Sequence, residues 1–169
     1  MRHTISILLD NEPGVLARIA GLFSARGFNI ESLCVAETLD PTMSCITLVT
    51  SGEDWIIEQI IKRFNNMINV IKVTDLNELT HVEREMLLVR VEATHENRAE
   101  ILRSTDIFRA KVIDVGPKSY MLELTGDKEK ISAFIEILKP FRIKEIVRTG
   151  TVALPRAKQN AKKDKGDKK

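Results

Sequence analysis

The sequence predicts an α+β protein with two ferredoxin-like units in tandem, each with the element order β-α-β-β-α-β. Three observations carry this prediction. Strand-like runs with alternating apolar residues are interleaved with amphipathic runs of helical period. The same order occurs in both halves of the chain, and residues 47–76 and 121–150 share one rhythm of strand, Thr, Gly-acid turn, helix and strand. In such a unit, four antiparallel strands are covered by two helices on one face.

The first unit is predicted to begin with a strand in which Ile5, Ile7 and Leu9 face the core. A helix follows at Pro13, which suits the first helical position, and Gly27 closes it in the left-handed conformation. The later elements are strands over 29–37 and 43–50 around a turn at 39–42, a helix capped by 51–54, and a strand over 70–76. The two helices are expected to bury the stripes Val15, Leu16, Ile19, Ala20, Leu22 and Phe23, and Trp55, Ile56, Ile60, Ile61 and Phe64.

The second unit repeats this order after a short polar link over 77–84. Its predicted elements are a strand over 85–93, a helix over 97–108, strands over 110–115 and 119–124 around Gly116-Pro117, a helix over 128–138 and a strand over 143–149. We therefore divide the chain into a first unit at 1–77, a second unit at 78–153 and a tail at 154–169.

The composition indicates a soluble globular protein, with 43% hydrophobic and 30% charged residues. No apolar run approaches the roughly 18 residues that a membrane-spanning helix needs, and the N-terminus lacks a signal-peptide cleavage site. Cys34 and Cys45 lack metal-ligand spacing and are expected to be mostly buried thiols in a reducing environment. These features predict a cytoplasmic protein that makes no membrane contact.

The basic C-terminal tail dominates the formal charge. From Arg156 to Lys169 there are seven basic and two acidic side chains, which give the tail +5 and leave −3 for the remainder of a chain of net charge +2. The tail contains too few apolar residues to offset the entropy of ordering, so we expect it to be disordered. A slightly acidic body with a basic tail does not by itself predict a nucleic-acid-binding surface.

Catalytic and metal-binding signatures are missing from the sequence. The three histidines are His3, His81 and His95, and none is placed in a Ser-His-acid or Cys-His pattern. His95 is expected to belong to a helix-capping turn, and no phosphate-binding Gly-rich loop occurs. Ferredoxin-like units also bind RNA through strand aromatics, but here only Tyr120 is an aromatic residue in a predicted strand. We therefore assign no catalytic residue and no metal ligand.

The stretch NEPGVL, residues 11–16, is the candidate ligand site. The first N–H groups of the helix that it opens lack intrahelical partners and lie at the positive end of the helix dipole, so they suit a carboxylate. Gly14 lets a ligand approach the backbone, and Asn11 could supply an amide to it. Asn29 carries both a donor and an acceptor, which suits a zwitterion.

Ordinary turn chemistry also explains a Pro-Gly pair at a helix start, and on residue types alone it is the more frequent explanation. The corresponding loop of the second unit, within ATHENRAEIL at 93–102, has no Pro-Gly. This asymmetry favours an additional role for the loop of the first unit.

Four segments resemble a known family. DNEPGVLARIAGLFSARGFNIESL at 10–33 resembles an ACT-domain signature. Together with DPTMSCITLVTSG at 40–52, HVEREMLLVRV at 81–91 and FRAKVIDVG at 108–116, it resembles the small regulatory subunit of acetolactate synthase (acetohydroxyacid synthase). The resemblance covers nearly all of residues 1–153, and the tail from Pro155 onward has no counterpart in it.

The resemblance implies a non-catalytic subunit with no cofactor of its own. In that family the catalytic large subunit carries thiamine diphosphate, Mg²⁺ and usually FAD, and the small subunit activates it and confers feedback inhibition, typically by valine. ACT domains of the family pair side by side as homodimers, and the effector binds where they meet. The resemblance implies effector contacts from Asn11, Gly14, Val15 and Leu16 of one chain and from Asn29 and Ile30 of the other.

Two alternatives remain open at this point. One is an amino-acid-sensing ACT protein that regulates a different enzyme, and the other is an RNA-binding ferredoxin-like module. The sequence also does not rank the branched-chain amino acids, because an apolar pocket discriminates one methylene by only about 1–3 kcal/mol.

Overall fold

The computed structural model describes residues 1–25 and 27–157, and its first unit is a four-stranded antiparallel sheet with two helices on one face. Its sheet order is β2-β3-β1-β4. The elements are β1 (Arg2–Asp10), α1 (Val15–Ser24), β2 (Ile30–Glu37), β3 (Met43–Ser51), α2 (Asp54–Asn65) and β4 (Val70–Asp75).

The second unit has the same plan, with the strand order β6-β7-β5-β8. Its elements are β5 (His81–Glu92), α3 (Arg98–Phe108), β6 (Lys111–Gly116), β7 (Ser119–Gly126), α4 (Lys128–Leu138) and β8 (Ile143–Arg148), followed by β9 (Val152–Pro155). The predicted fold class, two ferredoxin-like units in tandem, is confirmed.

Each unit encloses its own core because alternate residues of the central strand point toward the helices. In the first unit Ile5 and Ile7 of β1 are fully buried, as are the rings of Phe23 and Phe64, whose centroids lie 5.8 Å apart. In the second unit Phe134 of α4 occupies the equivalent position against buried residues of β5, β7 and α3.

The helix predictions for the first unit need two corrections. Trp55 was predicted to be buried but is 58% exposed, because α2 turns Ile57, Ile60 and Phe64 toward the sheet. Leu16 is also largely exposed, at 43%.

The start of α1 also differs from the prediction. Pro13 does not occupy the first helical position, because Gly14 intervenes as the N-cap with a φ of 85° and the helix begins at Val15. At the other end of the helix, Gly27 has a φ of 69°, so the left-handed conformation predicted there is confirmed.

The predicted link and the start of the predicted tail are largely strand. Residues 77–84 include the first four residues of β5, and these residues, His81–Arg84, pair antiparallel with Val152–Pro155 of β9. Leu154 and Pro155, which we assigned to the tail, therefore belong to a two-stranded ribbon. This pairing joins segments about seventy residues apart, and no local sequence pattern predicts it. The rest of the predicted disordered tail, 158–169, lies outside the described residues.

Candidate ligand-binding site

The loop between β1 and α1 exposes the N-terminus of a helix. Gly14 is the N-cap, and within the described ranges no side chain caps the helix and no acidic residue lies in its first turn. The N–H of Val15 reaches Glu12 O at 3.4 Å, and Arg18 N–H makes the next bond back, to Gly14 O. The N–H groups between them have no intrahelical acceptor. This arrangement leaves donors and a positive dipole end available to an anion.

The space in front of Gly14 is open. A Cβ atom built on Gly14 meets no atom within 4 Å, so the glycine is required by its positive φ and not by crowding. Leu16 presents an exposed apolar side chain nearby in sequence, whereas Val15 is 1% exposed and its side chain belongs to the core. Any contribution of Val15 to a ligand therefore comes from its main chain.

Asn11 is held in one orientation by its own chain. Its Nδ2 donates to Glu37 Oε1 at 3.1 Å and to the carbonyl of Pro41 at 2.9 Å. These two acceptors assign the amide nitrogen, and no described residue donates to Oδ1. Asn11 therefore offers an acceptor to a ligand, which suits an ammonium group. The sequence had suggested only that Asn11 could supply its amide to a ligand, without choosing between the nitrogen and the oxygen.

The hairpin between β2 and β3 supports this loop. The N–H of Asn11 donates to Thr42 O at 2.8 Å. Thr42 in turn donates its hydroxyl and its N–H to Asp40 Oδ1, and these bonds hold the pKa of Asp40 below its usual range. The ionised Asp40 thus keeps the hairpin in the conformation that Asn11 contacts.

Asn29 and Ile30 lie at the opposite end of the same sheet. Ile30 is paired with Thr50, which is also the partner of His3 near the start of β1, whereas Asp10 is paired with Met43. Seven residue steps along β1 separate those two ends, or about 23 Å at roughly 3.3 Å per residue. One chain therefore does not bring the two halves of the predicted site together.

The other half of the predicted site lies at an edge of the sheet. β2 is the edge strand, and within the described ranges only β3 pairs with it as a strand. Asn29 at its start is exposed and Ile30 is half-buried. The side chain of Asn29 is directed by no described hydrogen bond, while its carbonyl accepts from Thr50 Oγ1 at 2.8 Å.

The equivalent loop of the second unit is closed. Asn97 Oδ1 accepts from Thr94 N–H at 2.8 Å, and its Nδ2 donates to Glu92 O. Arg98 Nη2 donates to Pro117 O at 2.6 Å, and the guanidinium lies 5.9 Å from the centroid of the Tyr120 ring. Sequence reasoning missed Arg98, because one arginine in an amphipathic helix carries no signal of a long-range contact.

The histidines play other parts. His95 is exposed and lies in the turn directly before α3, which the backbone bond from Asn97 N–H to Thr94 O closes, so its predicted place in the turn that opens the helix is confirmed. His3 is 6% exposed, with Nδ1 3.0 Å from Asp75 Oδ2 and Nε2 3.2 Å from Asp54 Oδ1. That cluster joins β1, β4 and α2 at the end of the sheet remote from Gly14. Among residues 1–25 and 27–157, no group of three or more His, Cys, Asp or Glu side chains could hold a metal ion.

The fold defines the first unit as an ACT-like domain. Residues 5–72 match the model of the AHAS small subunit-like ACT domain, and residues 84–157 match that of the small subunit of acetolactate synthase. Over the part of the chain that the structure describes, no helix is both long and apolar enough to cross a bilayer.

Curated relatives and one solved structure match nearly the whole of this chain. A probable acetolactate synthase small subunit from Archaeoglobus fulgidus is 51% identical over 92% of this chain and 98% of its own length. The acetolactate synthase small subunit of Aquifex aeolicus is 50% identical over 92% of this chain and 81% of its own. The crystal structure of the small subunit from Thermotoga maritima superposes with a TM-score of 0.85 at 41% identity, covering 93% of this chain and 98% of that one. The chain belongs to the acetolactate synthase small-subunit family.

Proposed function

We propose that this chain is the non-catalytic regulatory subunit of a cytoplasmic acetolactate synthase. It activates the catalytic large subunit and confers feedback inhibition by a branched-chain amino acid, with valine as the expected effector. Membership of the small-subunit family supports the choice of enzyme. The observation that carries the effector site is the uncapped helix N-terminus at Gly14, with open space before it.

The proposed site is assembled from two copies of the chain. The main-chain N–H groups from Gly14 to Leu16 bind the carboxylate of the amino acid, and Asn11 Oδ1 accepts from its ammonium group. Asn29 and Ile30 of the partner subunit complete the site from the edge of its sheet. Leu16 of one copy and Ile30 of the other provide the apolar surface for the branched side chain.

This location gives the effector a route to control the enzyme. A ligand held between two chains stabilises the pairing geometry in which both halves of the site meet. If the large subunit binds better to a different geometry, the effector and the large subunit oppose each other, and the coupling is reciprocal. Thiamine diphosphate, Mg²⁺ and FAD belong to the large subunit in this proposal, and the chain contributes no group to the chemical step.

The experiment is reconstitution with the catalytic large subunit, followed by assay with and without valine, leucine and isoleucine. We expect co-purification, a rise in activity on pyruvate, and inhibition by at least one of the three amino acids. The chain alone should show no activity on pyruvate. A chain that neither binds the large subunit nor changes its activity would contradict the proposal.

Two substitutions locate the effector site within that assay. Gly14→Asp places a negative charge where the carboxylate binds, and Asn29→His removes the combined donor and acceptor. Each should weaken valine binding by at least about 100-fold, or about 2.7 kcal/mol, while activation is retained. Gly21→Asp is the matched control, since Gly21 is an exposed glycine of the same helix, and a Cβ atom built on it meets no described atom within 4 Å outside the backbone of its own helix. Calorimetry that shows normal valine affinity for Gly14→Asp would remove this site from consideration.

A further inference from the structure

The strand that carries Asn29 and Ile30 also touches the second unit. Ser32 Oγ accepts from the N–H of Thr151 at 2.8 Å, and Thr151 is 7% exposed. One residue earlier, Glu31 Oε2 lies 3.9 Å from Lys128 Nζ at the start of α4. The segment after β8 and the first turn of α4 therefore contact β2 at two consecutive residues.

Gly150 makes this contact unusually close. A Cβ atom at Gly150 would lie 2.7 Å from Ser32 Oγ and 3.5 Å from the carbonyl oxygen of Leu33. Gly150 also has a φ of 82°, which side-chain-bearing residues rarely adopt. Both constraints require glycine, and they place the backbone of the second unit directly against the hydroxyl of Ser32.

Beside this contact a cleft lies between the two units. The cleft has a volume of about 410 Å³, and its lining includes the charged side chains of Arg2, Glu85 and Arg148. Among the described residues, the hydrogen bond and the ion pair that join β2 to the second unit are those at Ser32 and Glu31, so we expect movement of β2 to reach the second unit there.

The central strand of the first unit is anchored separately. Arg2 Nη1 and Thr4 Oγ1, both on β1, donate to Glu83 of the β5–β9 ribbon. Two different strands of one sheet are thus attached to the second unit at different points. A change at the edge strand can be passed on while the central strand stays in place.

We propose that Ser32 and Gly150 are positioning residues that transmit the state of the effector site to the second unit. The inference rests on the proposed function. Ser32 follows Ile30 by two strand residues, or about 7 Å. An effector that draws β2 toward the loop of another copy also displaces Ser32. The Gly150–Thr151 segment moves with it, because Thr151 N–H is hydrogen-bonded to Ser32 Oγ and Gly150 lies directly against that hydroxyl.

The test separates effector binding from effector response. Ser32→Ala removes the acceptor of the Thr151 N–H. Gly150→Ala places a Cβ atom 2.7 Å from Ser32 Oγ, so the contact must shift, and it strains a backbone with a φ of 82°. Ser6→Ala is the control on the same sheet face, since Ser6 Oγ contacts Cys45 Sγ, and Gly21→Ala is the control for glycine replacement. Valine affinity is measured by calorimetry on the full chain, and activation and inhibition are measured in the reconstituted enzyme.

We expect both variants to bind valine within threefold of the unaltered chain and to activate the large subunit within twofold. The valine concentration for half-inhibition should rise at least tenfold, while both controls stay unchanged. Circular dichroism and gel filtration check each fold, and if one variant does not fold, the other decides the question.

Unchanged inhibition in a folded variant that binds valine normally would overturn the coupling role and leave the effector site intact. A loss of valine affinity that matches the loss of inhibition would also overturn it, because the residues would then act on binding alone. Absence of valine binding to the unaltered chain would overturn the proposed function together with this inference.

Discussion

The two units share one fold but differ in the loop that precedes the first helix of each unit. In the first unit the loop before α1 ends at Gly14 and leaves the helix N-terminus open. In the second unit Asn97 and Arg98 tie the corresponding loop to its neighbours, Thr94 and Pro117. The scaffold therefore tolerates either arrangement, and a few residues at one loop decide whether the space before the helix stays open or holds the side-chain contacts of the loop itself.

The difference follows from simple backbone and charge physics. A left-handed N-cap at Gly14 turns the chain sharply without placing a side chain before the helix. At the second loop, the Arg98 guanidinium occupies a site against Tyr120 and satisfies a backbone carbonyl of the next hairpin. Because the Arg98 guanidinium is already engaged in these contacts, we expect it to be less available to bind the carboxylate of a free ligand.

Removing a core ring should have the largest effect and should show that the units have separate roles. Phe64→Ala and Phe134→Ala each delete a fully buried ring, so each should lower the free energy of unfolding by about 3–5 kcal/mol. Phe64 packs against Phe23 of α1, the helix of the proposed site, so only Phe64→Ala should also weaken valine binding. Urea denaturation and calorimetry provide the two measurements. Equal losses of valine affinity in both variants would contradict separate roles.

The two asparagines provide a more direct contrast. Asn11→Ala removes the proposed ammonium acceptor and only exposed hydrogen bonds, so valine affinity should fall about tenfold, or about 1.4 kcal/mol, with little change in stability. Asn97→Ala removes the side-chain bonds to Thr94 N–H and Glu92 O that hold the turn before α3, so the free energy of unfolding should fall by about 1 kcal/mol while valine affinity is unchanged. The same two assays measure both variants. If Asn97→Ala weakens valine binding as much as Asn11→Ala does, the two loops are not functionally distinct.

A smaller effect is expected at the carboxylate that joins the units. Burial raises the pKa of Glu83, but hydrogen bonds from Thr4, Arg2 and His81 and the charge of Arg2 outweigh it, so the pKa lies below its usual value of 4.5. A lowered pKa in the folded state stabilises the protein above the unfolded-state pKa, and this stabilisation is lost as the pH falls through the folded-state pKa. Glu83→Gln should therefore lower the unfolding free energy by about 1 kcal/mol at pH 7.

The difference in unfolding free energy between Glu83→Gln and the unaltered chain should shrink as the pH falls below about 4.5. Denaturation at a series of pH values measures this change. Glu58→Gln, at an exposed pair with Lys62 on α2, is the control and should have almost no effect. A difference at Glu83 that stays constant from neutral to acidic pH would show that the carboxylate charge is not what stabilises this contact.

The sequence predicted the periodic elements well. The helix Lys128–Leu138 has the predicted bounds, because Asp127 caps it and its apolar residues repeat clearly. Trp55 was misplaced because a bulky aromatic residue at a helix start was taken as part of the apolar stripe. Strand β9 was missed because four residues ending in proline show no period, and its partner at His81–Arg84 is remote in sequence.

The site was predictable only in part. Gly14 and Asn11 could be selected because local turn chemistry and helix ends have known consequences. The orientation of the Asn11 amide depends on Glu37 and Pro41, which only the fold brings near. The separation of Asn29 from Gly14 depends on strand register, so it could not be derived from local pattern.

The central claim is that two copies of this chain hold a free amino acid by its carboxylate at the main chain just after Pro13. A structure of the chain from crystals grown in saturating valine tests this claim most directly. We expect the carboxylate within hydrogen-bonding distance of the N–H groups of Gly14 to Leu16, with Asn29 of a second copy facing the ligand. Valine bound elsewhere, or protein atoms filling the space before Gly14, would contradict the account.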